Sequence, residues 1–315
     1  MAIIDKPSDY FNTILYTGNG GTLNVTGVGF APNWVWLKRR DSTGNHYEFD
    51  TVRGATQRLL PNLTAADAAD SNTLSAFGSD GFTVKSEADI NASSGTFVSW
   101  NWKETADAGF DIVAYTGNGS NRTISHSCGA IPKMIIIKDR DADDNWNVYT
   151  APTGNDSHMH LNLTNAASGS SSYWNDTTPT SSVFSLGSNS AVNANGNNFI
   201  AYCFAEKQGY SKIGSYTGNG NANGTFVYTG FKPAMVIIKQ SSGADNWVIY
   251  DNKRDGFNGD THALFPNNSD GQTTDVDIDL VSNGFKIVRA SGRVNASGET
   301  HIYMAFAENP FVTST

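Results

Sequence analysis

Long apolar runs, helical periodicity, cysteine and positive charge are all scarce in this 315-residue chain. No apolar run reaches the roughly 20 residues that a bilayer-spanning helix needs. Apolar residues do not recur at helical spacing over any long stretch, which argues against a helical bundle. The two cysteines, Cys128 and Cys203, are too few for a disulfide framework. Both lie in strand-like stretches, where a small buried thiol is the expected role. Lysine and arginine number 21 against 30 aspartates and glutamates, giving a net charge of −9. That balance disfavours a phosphate-binding face and docking on an anionic membrane. The opening MAIIDKPSDYF lacks a cationic stretch followed by an apolar one, so no secretory signal is expected. There is no nucleophile elbow, zinc spacing or phosphate loop, so no enzymatic activity and no cofactor are expected.

What is abundant is glycine, asparagine, serine, threonine and aspartate, interleaved with valine, isoleucine and aromatics. Turn-formers between short apolar runs predict many strands. The pentapeptide YTGNG occurs at Tyr16, Tyr115 and Tyr216, 99 and 101 residues apart. A period of that length suits a small domain rather than a solenoid repeat. Each copy continues with a Pro-led strand ending in lysine (Pro32 to Lys38, Pro132 to Lys138, Pro233 to Lys239). An aromatic strand follows (HYEFD, NWNVY, NWVIYD), then a final strand ending in Glu104, Glu206 or Glu308. The expected repeats span 1–104, 105–207 and 208–315, each starting and ending with a strand, with its ends close together.

Comparing the copies predicts burial. Trp34 and Trp36 correspond to Met134 and Ile136, then Met235 and Ile237, so these tryptophans read as core. The alternate positions are apolar too, as in a strand covered on both faces. Trp100 and Trp102 correspond to Tyr202 and Phe204, then Met304 and Phe306, opposite varied residues that suggest a half-buried strand. Trp146 and Trp247 are aligned with Tyr47. YTGNG reads as a strand end entering a turn in which Gly and Asn tolerate positive φ. The expected architecture is all-β: three tandem β-sandwich domains of jelly-roll or lectin-like type.

Few residues suggest chemistry. Tyr173 and Trp174 sit in the polar stretch SSSYWNDTT with no aromatic counterpart in the other copies, and are the candidate surface aromatics for ligand binding. His158 and His160 form His-x-His, which puts both rings on one side of a strand and makes them candidate metal ligands. Arg58 and His262 stand near the first of these positions in the other copies. Asp275, Asp277 and Asp279 alternate with apolar residues, as expected for carboxylates on one solvated strand face or a weak calcium site. Asp139, Asp141, Asp143 and Asp144 begin like a calcium loop but lack its glycine and terminal glutamate. Lys38, Lys138 and Lys239 recur with the repeat, so a structural role is expected, as strand-end solubility or a cross-strand pair.

The first copy, from DKPSDYFNTILYTGNG through GVGFAPNWVWLKRRD to FDTVRGATQRL and SDGFTV, resembles a repeat of tailed-bacteriophage virion proteins, commonest in marine and cyanobacterial phages. The resemblance covers three copies and weakens after the first. It implies a virion location after assembly in host cytoplasm, other virion proteins as partners, and contact with host-surface polysaccharide. By analogy with such appendages it implies a homotrimer. The acidic charge balance and the lack of long apolar runs lead to no expected nucleic-acid partner and no membrane insertion. The expected function is a non-enzymatic tail-fibre, tail-tip or head-fibre component. The alternatives are a capsid decoration protein without a receptor role and a tailspike-type depolymerase. Arg39, Arg40, Arg53 and Arg58 make the first copy the candidate anchoring unit.

Overall fold

The computed structural model describes residues 4–254 and 261–310. In every repeat the first strand pairs antiparallel with the last, bringing its ends together. Phe11–Thr17 pairs with Thr96–Trp102, Phe110–Thr116 with Asn198–Ala205, and Ser211–Thr217 with Thr300–Pro310. The Pro-led strand lies on the other side of the last strand, and the aromatic strand lies beyond it. Repeat 2 extends this sheet with Ser157–His160 and Ser168–Gly169. A smaller sheet covers one face. It comprises Leu23–Thr26, Gly81–Val84 and Leu74–Gly78 in repeat 1, and Phe226–Tyr228, Gly284–Ile287 and Ile278–Val281 in repeat 3. Repeat 2 keeps only Arg122–Ser125 and Val183–Leu186. The chain is all-β, as its turn-rich composition requires. Among the described residues no helix is long and apolar enough to cross a membrane.

Strand alternation divides the apolar residues between two kinds of core. Val35 and Leu37 point into repeat 1's own sandwich, with Phe49, Leu74 and Phe82. Trp34, Trp36, Trp100 and Trp102 point the other way, into a cluster that repeat 2 joins with Met134, Ile136, Tyr202 and Phe204. Repeat 3 adds Met235, Ile237, Met304 and Phe306 to the same cluster. The three large sheets therefore face one another around a common centre, and the sequence repeats share a core. Trp34 sits in its midst, with the rings of Trp102 and Tyr202 at 4.3 and 4.6 Å between centroids. The last strand is not half-buried as its varied alternate positions suggested. Asn101, Cys203 and Ala305 are fully buried, because the small sheets cover that face. Both cysteines are buried free thiols, as expected.

The shared centre is closed by three related seams. Trp146 Nε1 of repeat 2 donates to the Leu60 carbonyl of repeat 1 at 3.1 Å, and Trp247 Nε1 of repeat 3 donates to the His160 carbonyl of repeat 2 at 2.9 Å. The third member is His46, because strand register pairs Leu37 with Tyr47, Ile137 with Asn147 and Ile238 with Val248. Trp146 and Trp247 thus align with His46 rather than Tyr47. The His46 ring lies by the Phe265 backbone of repeat 3 and accepts Trp36 Nε1–H on Nδ1. Loop backbones repeat the ring: Asp67 N–H reaches Arg140 O at 2.9 Å, Ala167 N–H reaches Ser241 O at 2.8 Å, and Gln272 N–H reaches Arg40 O at 2.9 Å. Repeat 1 contacts 2, 2 contacts 3, and 3 returns to 1.

YTGNG owes its recurrence to a buried asparagine. Tyr16, Tyr115 and Tyr216 donate their hydroxyls to the carbonyls of Ile90, Val192 and Val294 at 2.6–2.7 Å. Next to these stand Asn91, Asn193 and Asn295, whose Oδ1 accepts the backbone N–H of the motif asparagine. Their Nδ2 donates to Gly21 O, Ser120 O and Asn221 O, pinning the turn. The first motif glycine leaves no room for a side chain: a Cβ on Gly18, Gly117 or Gly218 would lie 2.1–2.3 Å from a backbone oxygen. The second, Gly20, Gly119 or Gly220, has φ near +70°.

The recurring lysines are structural, but not as strand-end solubility or ion pairs across strands. Lys38, Lys138 and Lys239 are fully buried. Their ammonium groups donate to backbone carbonyls of the following turn: Arg39 O, Asp139 O with Ala142 O, and Gln240 O with Gly243 O. Lys38 also reaches Ser269 O of repeat 3 at 3.2 Å, across a seam. Burial lowers each lysine to about 8. The unfolded chain, with ordinary lysines near ~10.4, then binds more protons than the folded chain above pH 8. Stability from these groups rises with pH through that window. Cys203 and the buried tyrosines, pushed up by burial, act oppositely, the thiol above its ordinary pKa and the phenols as pH nears their ordinary value of about 10. The midpoint of urea unfolding is therefore expected to rise between about pH 8 and 9, and to rise less in a Lys239→Met variant.

Candidate functional site

Repeat 2 departs from its siblings where the third strand of the small sheet should run. A short helix, Ser171–Trp174, takes that place. Trp174 fills the space that Leu74 fills in repeat 1 and Ile278 fills in repeat 3, packing in the repeat 2 core edge-on to Tyr149. Its Nε1 donates to Ser157 O at 2.9 Å, and only 2% of the residue is exposed. Trp174 is thus a core residue and not the surface platform that its polar surroundings suggested. A missing strand has to be replaced by something large, and tryptophan is what the sequence supplies.

Tyr173 points elsewhere and is half-buried. Its ring stacks on His158 with centroids 3.6 Å apart and planes within 10°. His158 and His160 share one side of Ser157–His160, with ring centroids 5.2 Å apart. The structure thus brings together three of the sequence-selected residues. The two histidines border a cavity of about 430 Å³ lined by His158, His160, Leu163, Asn165, Ala166 and Ser168. The Nδ1 atoms of both histidines are buried without a hydrogen-bond partner. Burial lowers His158 to about 4, with a smaller contribution from His160, while the Ser168 backbone opposes it. Burial also lowers His160, against the pull of the Asp144 carboxylate. Both rings are therefore neutral at pH 7. Register aligns Met159 with Leu59 and Leu264, so the pair replaces Arg58 and Leu60, then Ala263 and Phe265. His262 is one position away from alignment with His158, so the pair belongs to repeat 2.

The acidic candidates do not form a cation site. Asp275 and Asp277 precede the strand Ile278–Val281, and only Asp279 lies on it. Asp277 is fully buried, accepts from the Tyr250 hydroxyl and pairs with Arg293 at 2.6 Å. Asp275 bridges Arg289 and Arg293 at 2.5 and 3.0 Å. These arginines hold its carboxyl below the ordinary range. The expected row on a single solvent-facing strand is replaced by an ion-pair cluster. The Asp139–Asp144 run serves its own turns and a seam: Asp139 accepts from Asp141 N–H, Asp141 from Asn198 N–H, and Asp143 from Ala66 N–H of repeat 1. Among the described residues, no three His, Cys, Asp or Glu side chains converge as a metal-ligand set.

Glu104 and Asp111 form a close pair of carboxyl groups. Glu104 is pushed up to about 7, mainly by burial and further by a hydrogen bond with Asp111. Carboxyls in direct contact are too close to flank a glycosidic bond, which needs about 5 Å or more between them. The partners of both are backbone amides: Glu104 accepts from Ile112 N–H and Asp111 from Ser127 N–H.

Outward-facing positions of the small sheets differ more than the cores. Register aligns Phe226 and Tyr228 with Asn24 and Thr26 in repeat 1, and with Thr123 and Ser125 in repeat 2. Phe226 is 45% and Tyr228 58% exposed. Sequence comparison missed this pair because its motif anchors lie on other strands; the apolar Val25, Ile124 and Val227 between the varied positions were the available signal. No curated protein matches the chain. A family model, a domain of unknown function (DUF7483), matches residues 6–310 and thus takes in all three repeats. The chain belongs to the DUF7483 family.

Proposed function

We propose that this chain is a non-enzymatic appendage protein of a tailed-phage virion, assembled in host cytoplasm, that contacts host-surface polysaccharide through repeat 3. The supporting observation is the exposed pair Phe226 and Tyr228, two residues apart on one strand face, where the sister repeats carry small polar side chains. Exposed aromatics at positions a scaffold otherwise fills with Asn, Thr and Ser serve no packing need. Their flat apolar faces suit the apolar face of a pyranose ring, with polar neighbours for its hydroxyls. Lys286 pairs across the sheet from Phe226 and supplies such a neighbour. The three-fold arrangement expected of three chains is available here within one.

The test is binding of labelled protein to intact susceptible and resistant host cells. Saturable binding to susceptible cells is expected, weakened about tenfold or more by Phe226→Ala with Tyr228→Ala. Because both side chains are exposed, the double variant should lose little stability. Binding to purified capsids with none to either cell type would replace this reading with that of a capsid decoration protein.

A further inference from the structure

From the repeat 2 cavity we infer a site for one divalent transition-metal ion of the zinc class, held by the imidazoles of His158 and His160 with water completing its coordination. This inference does not rest on the virion reading. The separation of the rings fits. With metal–nitrogen bonds of about 2.0–2.1 Å and a nitrogen-to-centroid distance of about 1.1 Å, two imidazoles at tetrahedral to right angles have centroids about 4.5–5.2 Å apart. The observed value is 5.2 Å.

The nitrogens are uncommitted. Both Nδ1 atoms are buried with no partner, and His158 is only 8% exposed. Such orphaned acceptors are costly unless something binds them. The Ser168 backbone interacts with the His158 ring, which leaves Nδ1 as its free ligating atom. Stacking on Tyr173 fixes the His158 plane, and the Trp247 hydrogen bond to the His160 carbonyl fixes the neighbouring backbone. Asp144 acts on both His160 and Tyr173 and adds negative potential beside the cavity. Imidazole ligands select Zn²⁺, Cu²⁺ or Ni²⁺ over Ca²⁺ or Mg²⁺. The cavity that both histidines line offers room nearby for water or a ligand oxygen.

The full chain, stripped with chelator, would be titrated calorimetrically with Zn²⁺ at pH 7.5, with Co²⁺ absorption reporting the ligand field. One ion per chain is expected. His158→Gln and His160→Gln should each weaken binding about tenfold or more, and His126→Gln should leave it unchanged. His126 neighbours Cys128 and is the competing soft-ligand site. Zn²⁺ should raise the melting temperature of the wild-type chain but not of the His160→Gln variant, whose own melt reports that it is folded. The inference is overturned by no binding up to about 1 mM, by unchanged affinity in both repeat 2 variants, or by loss of binding in the His126 variant.

Discussion

Trp34→Ala is expected to destabilise all three repeats together, by about 3–5 kcal/mol, in a single unfolding transition. The indole is fully buried and stacks among Trp102, Tyr202 and Phe204, so its removal opens a cavity that two repeats line. A loss of that size is a large part of the roughly 5–15 kcal/mol that holds an ordinary protein folded. Because the central cluster draws on every repeat, no repeat can lose it alone. Thermal or urea unfolding followed by far-ultraviolet circular dichroism and by tryptophan fluorescence should give coincident curves for wild type and variant, both shifted as one. Separate transitions, with only the first moved, would show that the repeats hold themselves up independently and that the shared cluster is mere contact.

Asp251→Ala should cost about 3–5 kcal/mol as well, through a different mechanism. Its carboxylate accepts from Arg254 Nε at 2.6 Å, from the Arg254 backbone N–H at 3.0 Å, and from Trp100 Nε1 of repeat 1 at 3.0 Å. Truncation leaves a fully buried guanidinium without its counter-charge and an indole N–H without an acceptor. Repeat 1 uses the same device, with Asp50, Arg53 and the Tyr202 hydroxyl of repeat 2. Repeat 2 dispenses with it. Thr150 and Thr153 hydrogen-bond at 2.8 Å, and the residue aligned with Trp100 and Tyr202 is Met304. The double variant Asp251→Thr, Arg254→Thr copies that arrangement and should recover most of the loss, measured as urea midpoints in a double-mutant cycle. Recovery no better than Asp251→Ala alone would mean that the ion pair, rather than the unpaired arginine, carries the stability.

Much of this architecture is written in local sequence. The closeness of each repeat's ends follows from the repeat itself. Burial of the Pro-led strands on both faces and the YTGNG turn follow from alternation and turn chemistry, which act over a few residues. The pairing of first strand with last and the full burial of the last strand do not. The common centre is less legible. A valine-tryptophan alternation says that both faces are covered, but not that Trp34 meets Tyr202 of another repeat. Register errors of one residue also matter: placing Trp146 opposite Tyr47 instead of His46 conceals the ring of seam hydrogen bonds, since side chains alternate. Of the candidate site residues, Tyr173, His158 and His160 converge. Trp174 was misread because a polar neighbourhood says nothing about which strand is absent behind it. Asp277 was misread because its partners, Tyr250 and Arg293, are distant in sequence.

Closure of the ring within one polypeptide changes what mutation can do. In an assembly of three identical chains every substitution appears three times, so an exposed aromatic pair, a histidine pair or an apolar seam must be tolerated at all three positions at once. A covalently joined ring is free of that constraint. His158 and His160, Phe226 and Tyr228, and Thr150 with Met304 each occur in one seam or face while the equivalent positions keep other chemistry. The chain has the geometry of a symmetric body and the evolutionary freedom of an asymmetric one.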